Sequence, residues 1–122
     1  MLTKTSAVAL LAAAPLSVFS ADTPAARIKI TYPITNQTVP GEVIELTGTG
    51  ADPQGTLKVE VLTNQWWLQK GEWTINPDGS WSYGPCYLSG QGEFNNHTIR
   101  VTVIKNGKIG NSDRVTGVRR AG

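Results

Sequence analysis

The chain has 122 residues and a formal net charge of +2, from 11 Lys+Arg against 9 Asp+Glu. With 39% hydrophobic and 16% charged residues it has enough apolar material for a packed core and falls outside the disordered and strongly acidic classes. Its 1 Cys (Cys86) excludes an internal disulfide framework, and together with its 1 His (His97) it falls short of the ligand set of a zinc site.

Residues 1–21 read MLTKTSAVALLAAAPLSVFSA. Lys4 precedes an apolar run from Ala7 to Phe19, and the small residues Ser20 and Ala21 follow, which is the pattern of a secretory signal peptide. The run is shorter than the ~20 apolar residues of a spanning helix, and Pro15 interrupts it. The expectation is a secreted chain, extracellular or periplasmic, with no membrane insertion after cleavage and a single domain over residues 22–122. Basic residues are scattered, with only Arg119 and Arg120 adjacent, so no nucleic-acid groove is expected.

From Arg27 onward the apolar residues recur with period two, as half-buried strands require. Ile28, Ile30 and Tyr32 give the first strand, and Ile44 with Leu46 the next. Leu57, Val59 and Val61 follow; then Trp73 with Ile75, and Trp81 with Tyr83. Ile99, Val101 and Val103 show the clearest alternation, while Val115 and Val118 mark a weaker last strand. Turn chemistry separates the runs: Pro40-Gly41, Asn76-Pro77-Asp78-Gly79 and Lys105-Asn106-Gly107-Lys108, where Asn-Gly is a strong hairpin signal. Gly48-Thr49-Gly50 and Gly90-Gln91-Gly92 read as bends. Strand signals about every 10–12 residues, with no sustained helical period, predict an all-β, antiparallel sandwich of about seven strands. Arg114, Arg119 and Arg120 are placed to keep the last strand from pairing with neighbours, if it is an edge.

Several of these pieces together resemble a bacterial immunoglobulin-like (Big-type) domain of secreted and surface proteins. They are Ile30-Thr31-Tyr32-Pro33, Val39-Pro40-Gly41, Leu46-Thr47-Gly48-Thr49-Gly50, Val59-Glu60-Val61, Gly71-Glu72-Trp73, Asn76 through Tyr83, and Asn96 through Val101. The resemblance runs from Ile28 to about Val118 and implies an immunoglobulin-like β-sandwich. The Cys…Trp…Cys core of antibody domains is missing. The resemblance carries no catalytic motif and implies a structural or adhesive binding module.

The aromatic residues are the feature with most chemical content. Trp66 and Trp67 are adjacent, so alternation sends them to opposite faces and leaves at least one exposed. A bare indole beside Asn64, Gln65 and Gln69 has the composition of a sugar platform, with Tyr87 as a further contact. The candidate ligand-binding set is therefore Trp66, Trp67, Gln69 and Tyr87. Trp73 and Trp81 are expected in the core, where a sandwich places large aromatics. His97 is expected to be structural, at the start of a strand, because no nucleophile and orienting group accompany it. Carboxylates are scattered, and around Asp52, Asp78 and Asp113 no run of alternating oxygen ligands suggests calcium. Cys86 either stays buried as a free thiol in a monomer or bridges two chains into a dimer. Asn36 and Asn96 each begin a glycosylation sequon.

These observations predict a non-catalytic module without cofactor or metal. Its leading expected role is structural or adhesive binding of a surface protein. The first alternative is a carbohydrate-binding module whose partner is a polysaccharide. The second is a small secreted enzyme or enzyme inhibitor.

Overall fold

A computed structural model describes residues 27–121; the segment expected as a signal peptide lies outside the described residues. Among the described residues, nine strands form two sheets. They are β1 (Lys29–Tyr32), β2 (Thr38–Val39), β3 (Val43–Thr49), β4 (Thr56–Leu62), β5 (Trp66–Leu68), β6 (Glu72–Ile75), β7 (Trp81–Tyr87), β8 (His97–Lys105) and β9 (Lys108–Arg120). One sheet runs β2-β9-β8-β4-β5 and the other β1-β3-β7-β6. Every pairing is antiparallel except β2 with β9, where Thr38 and Val39 lie beside Arg119 and Arg120. The fold is thus an all-β sandwich. No helix among the described residues is long and apolar enough to cross a membrane.

Alternation explains the core. In β4, Leu57, Val59 and Val61 are buried, and the register sets Val59 opposite Val101 and Val61 opposite Ile99 of β8. Leu46, Trp81 and Tyr83 fill the facing sheet's inner side. The Trp81 indole lies across Gly48 and donates Nε1–H to the Thr49 carbonyl at 3.1 Å. A Cβ at Gly48 would run into that ring and into the Lys29 carbonyl, so only glycine leaves room. Asn106 and Gly107 take φ of 53° and 74°, the left-handed pair that a two-residue hairpin between β8 and β9 needs.

The two additional strands, β2 and β5, carry no legible pattern. Thr38–Val39 is only 2 residues long, and Trp66–Leu68 is exposed throughout. The arginines expected to guard an open last strand are otherwise engaged, since Arg119 and Arg120 pair with β2. The edge of β1 is closed by side chains instead. Asn111 Oδ1 accepts the Ile28 N–H at 2.7 Å, and Asp113 Oδ2 accepts the Ile30 N–H at 2.8 Å. On the opposite rim β5 and β6 end their sheets, and among the described residues no side chain accepts an amide N–H of either strand.

Candidate functional site

The bare rim is where the exposed aromatic residues gather. After β4, a tight turn closed by Thr63 N–H to the Gln65 carbonyl (3.1 Å) returns the chain as β5, with Trp67 opposite Val61 and Trp66 opposite Leu62. Gln69, Lys70 and Gly71 then carry it across to β6, the edge of the other sheet.

The two adjacent tryptophans face opposite ways, as alternation requires, and both are exposed, Trp66 at 37% and Trp67 at 46%. Their surroundings differ. The Trp66 ring is covered by the Arg100 guanidinium, centred 4.1 Å from the ring centroid. Arg100 is held in turn by Glu60, whose Oε1 accepts from Nε at 3.1 Å and Nη2 at 2.9 Å. One face of Trp66 is therefore used inside the protein. Trp67 has no such cover. Its Nε1–H donates to Thr63 Oγ1 at 3.1 Å, which fixes the ring's orientation, and Thr63 Oγ1 donates to Asn64 Oδ1 at 3.0 Å.

Trp67 stands between two shallow depressions. One, of about 270 Å³, is bordered by Thr63, Asn64, Ser89, Gln91 and Phe94; the other, of about 380 Å³, by Leu68, Gln69, Lys70, Pro85 and Tyr87. Trp67 and Ser89 border both, so the two depressions adjoin at the ring. Tyr87 (49% exposed) and Phe94 (44%) flank it. Phe94 lies on the 3-10 turn Gly92–Phe94 between β7 and β8, and only the fold brings it to Trp67. The sequence offered no local signal for it beyond the Gly90-Gln91-Gly92 bend.

One expectation is corrected. Trp73 is not core: it is 42% exposed, because β6 ends its sheet and nothing lies beyond to cover it. Tyr83, its buried register partner, fills the interior there, and its hydroxyl oxygen accepts the Gly71 N–H at 2.6 Å. The Gln69 amide is bonded within the protein. Its Oε1 accepts the Tyr87 N–H at 2.9 Å and its Nε2 donates to the Trp67 carbonyl at 3.3 Å, tying β5 to the end of β7. Cys86 is fully buried, and burial pushes its thiol up to about 12, so the folded protein presents no sulfur for a bridge to a second chain. Asn36 and Asn96 are both exposed.

A larger concavity, about 880 Å³, lies elsewhere, among Asp52, Pro53, Pro77, Asp78, Lys105 and Asn111. Its carboxylates are turn builders. Asp52 pairs with Lys105 at 2.9 Å and accepts the Gln54 N–H at 2.9 Å; these bonds hold its carboxyl below the usual range. Asp78 accepts from the Ser80 hydroxyl at 2.7 Å and backbone at 3.0 Å, with the same effect. Asp113 serves β1 instead, and among the described residues no three His, Cys, Asp or Glu side chains gather as metal ligands. His97, at 0% exposure, opens β8 and bonds through both ring nitrogens.

No family model matches the chain, and no curated protein matches it.

Proposed function

We propose that the chain is a non-catalytic, secreted β-sandwich module of immunoglobulin-like type that binds polysaccharide across the Trp67 rim. The observation that carries this reading is the Trp67 ring, 46% exposed and held in orientation by Thr63 between two adjoining shallow depressions. An indole fixed in advance offers a flat apolar face to a pyranose with little ordering cost. Tyr87 and Phe94 extend the apolar surface on either side, while Asn64, Ser89, Gln91 and Lys70 supply polar groups for hydroxyls. Shallow and open on both sides, the rim suits a long chain molecule passing across it better than a small ligand enclosed on all sides.

Retention on insoluble polysaccharides tests this. Wild-type protein is expected to be retained by at least one β-linked glucan, xylan or chitin, and Trp67→Ala to pass through with its melting temperature nearly unchanged. Equal retention of both proteins contradicts the assignment.

Protein adhesion is the second reading, and the open edges of β5 and β6 favour it. Exposed Leu68 (58%) and Trp73 (42%) sit on these edges, and an unpaired edge accepts an added strand. The sheet faces favour it less. Lys58, Glu60 and Arg100 break the outer face of the five-stranded sheet with charge rather than leaving an apolar patch.

A further inference from the structure

The loop that supplies Ser89, Gln91 and Phe94 to the Trp67 surface is fastened to the interior by a histidine. His97 is fully buried. Its Nδ1 lies 2.9 Å from the Val118 carbonyl oxygen, which can only accept, so Nδ1 carries the hydrogen. Its Nε2 accepts the Gly90 N–H at 2.9 Å and is therefore unprotonated. Both nitrogens are committed, and only the neutral ring fits. A proton on Nε2 would set one donor against another and leave the buried Gly90 N–H without an acceptor.

There is no slack to absorb this. Gly90 is packed so tightly that a Cβ there would run into the Phe94 carbonyl and come within 2.9 Å of Nε2. The rest of the fastening comes from the end of β9. Arg120 Nε donates to the Gly90 carbonyl at 3.1 Å, while Asn95 and Arg120 exchange two bonds of 2.9 Å. Burial, with a smaller contribution from the Arg120 charge, holds the His97 ring below the ordinary imidazole value, against the pull of the Val118 carbonyl. Of the other titratable groups on adjoining elements, Cys86 on β7 stays a neutral thiol and Glu93 on the 3-10 turn is exposed.

We propose that His97 is a pH-sensitive latch: neutral, it holds the Gly90–Phe94 loop against the Trp67 surface, and protonated, it releases that loop and weakens polysaccharide binding. The ligand part rests on the reading of the Trp67 rim given above; the latch itself does not. His97 is a positioning residue, acting on the site through Gly90.

Amide hydrogen exchange on the free protein, followed by NMR from about pH 8 to about pH 5 with the His97 ring nitrogens observed in parallel, tests the latch. At the upper end the ring should show a single tautomer with the proton on Nδ1. As the ring takes its proton, Gly90 and Phe94 should lose at least about tenfold in protection after correction for intrinsic exchange, the signature of a local opening. The central amides of β4 and β8 should keep theirs. His97→Gln, which retains an acceptor towards Gly90 but cannot take the proton, should lose the pH step. Should that variant fail to fold, the wild-type series decides alone. A ring that takes no proton in this range, a ring that titrates while Gly90 keeps its protection, or loss of protection throughout the sandwich at once, each overturns the latch. Repeating polysaccharide retention at both ends of the range separates the two ideas. A latch that opens in a protein retained at neither pH refutes the ligand and not the latch, whereas retention unchanged by pH refutes the coupling.

Discussion

Trp81 and Trp67 are the same side chain used in opposite ways. Trp81 is 3% exposed, packed over Gly48 and bonded through its indole nitrogen to the Thr49 carbonyl. Replacing it with alanine should cost about 3–5 kcal/mol in urea unfolding. Trp67, at 46% exposure on an edge strand, should cost less than about 1 kcal/mol when truncated, so its effect on ligand retention can be read without a change of fold. At Gly48 an alanine should destabilise by about 1–3 kcal/mol, because the new methyl meets backbone as well as a ring and neither can simply swing away. Cys86 gives a chemical check on burial. A thiol pushed up to about 12 is ionised to only about one part in 10⁵ at neutral pH. The native protein should therefore leave an aromatic disulfide reagent essentially unconsumed, and denaturant should release one equivalent of reaction.

At the scale of the strands, the two rims of the sandwich are treated differently. On the closed rim, Asn111 and Asp113 reach from β9 to cap the Ile28 and Ile30 amides, a device that blunts an edge without adding a strand. Asp113→Ala should cost about 1–3 kcal/mol, the range for stranding a part-buried amide, and should speed exchange at Ile30 more than at any residue of β4. On the other rim, β5 rests on one neighbouring strand, and Gln69 ties it to the end of β7. Gln69→Ala should accordingly weaken polysaccharide retention by loosening Trp67 and Tyr87 rather than by removing a sugar contact. Rapid exchange at the Tyr87 amide would mark that route. The strands themselves were largely legible, because period-two alternation and the Asn-Gly and Pro-Asp-Gly turns are local features. What alternation does not encode is which strand ends a sheet. That is why Trp73 reads as core in the sequence and stands exposed in the fold, and why β5, with both indoles outside, carries no apolar stripe.

Over the whole molecule, the candidate surface is assembled from β5, the end of β7 and the turn before β8, so only part of it could be read in one stretch. Trp67 and Tyr87 stood out as aromatic residues near amides. Phe94 and Ser89 did not, since their proximity to Trp67 is a product of sheet pairing, and the two bonds by which Gln69 ties β5 to the end of β7 have no local signature. The fold also has a pH dependence of definite sign. The folded-state His97 value lies below the ordinary 6.5, so the unfolded chain takes the proton first. Its contribution is complete above 6.5 and is lost as the pH falls from there towards the folded-state value. Asp52 and Asp78 act in the same direction at lower pH, since both carboxyls lie below 3.8, but both are exposed and contribute little. The melting temperature of wild type should therefore fall as the pH drops below 6.5 towards the folded-state value, and this slope should flatten in His97→Gln.

Intrinsic tryptophan fluorescence with iodide quenching, titrated with soluble β-glucan, xylan and chitin oligosaccharides, addresses the polysaccharide assignment most directly. Iodide should reach Trp66, Trp67 and Trp73 and spare Trp81, in keeping with exposures of 37%, 46%, 42% and 3%. A saturable spectral shift that shields one of the three accessible indoles, and that disappears in Trp67→Ala, is the expected result. No shift with any of these glycans, or a shift that survives in Trp67→Ala, would contradict binding at the Trp67 rim.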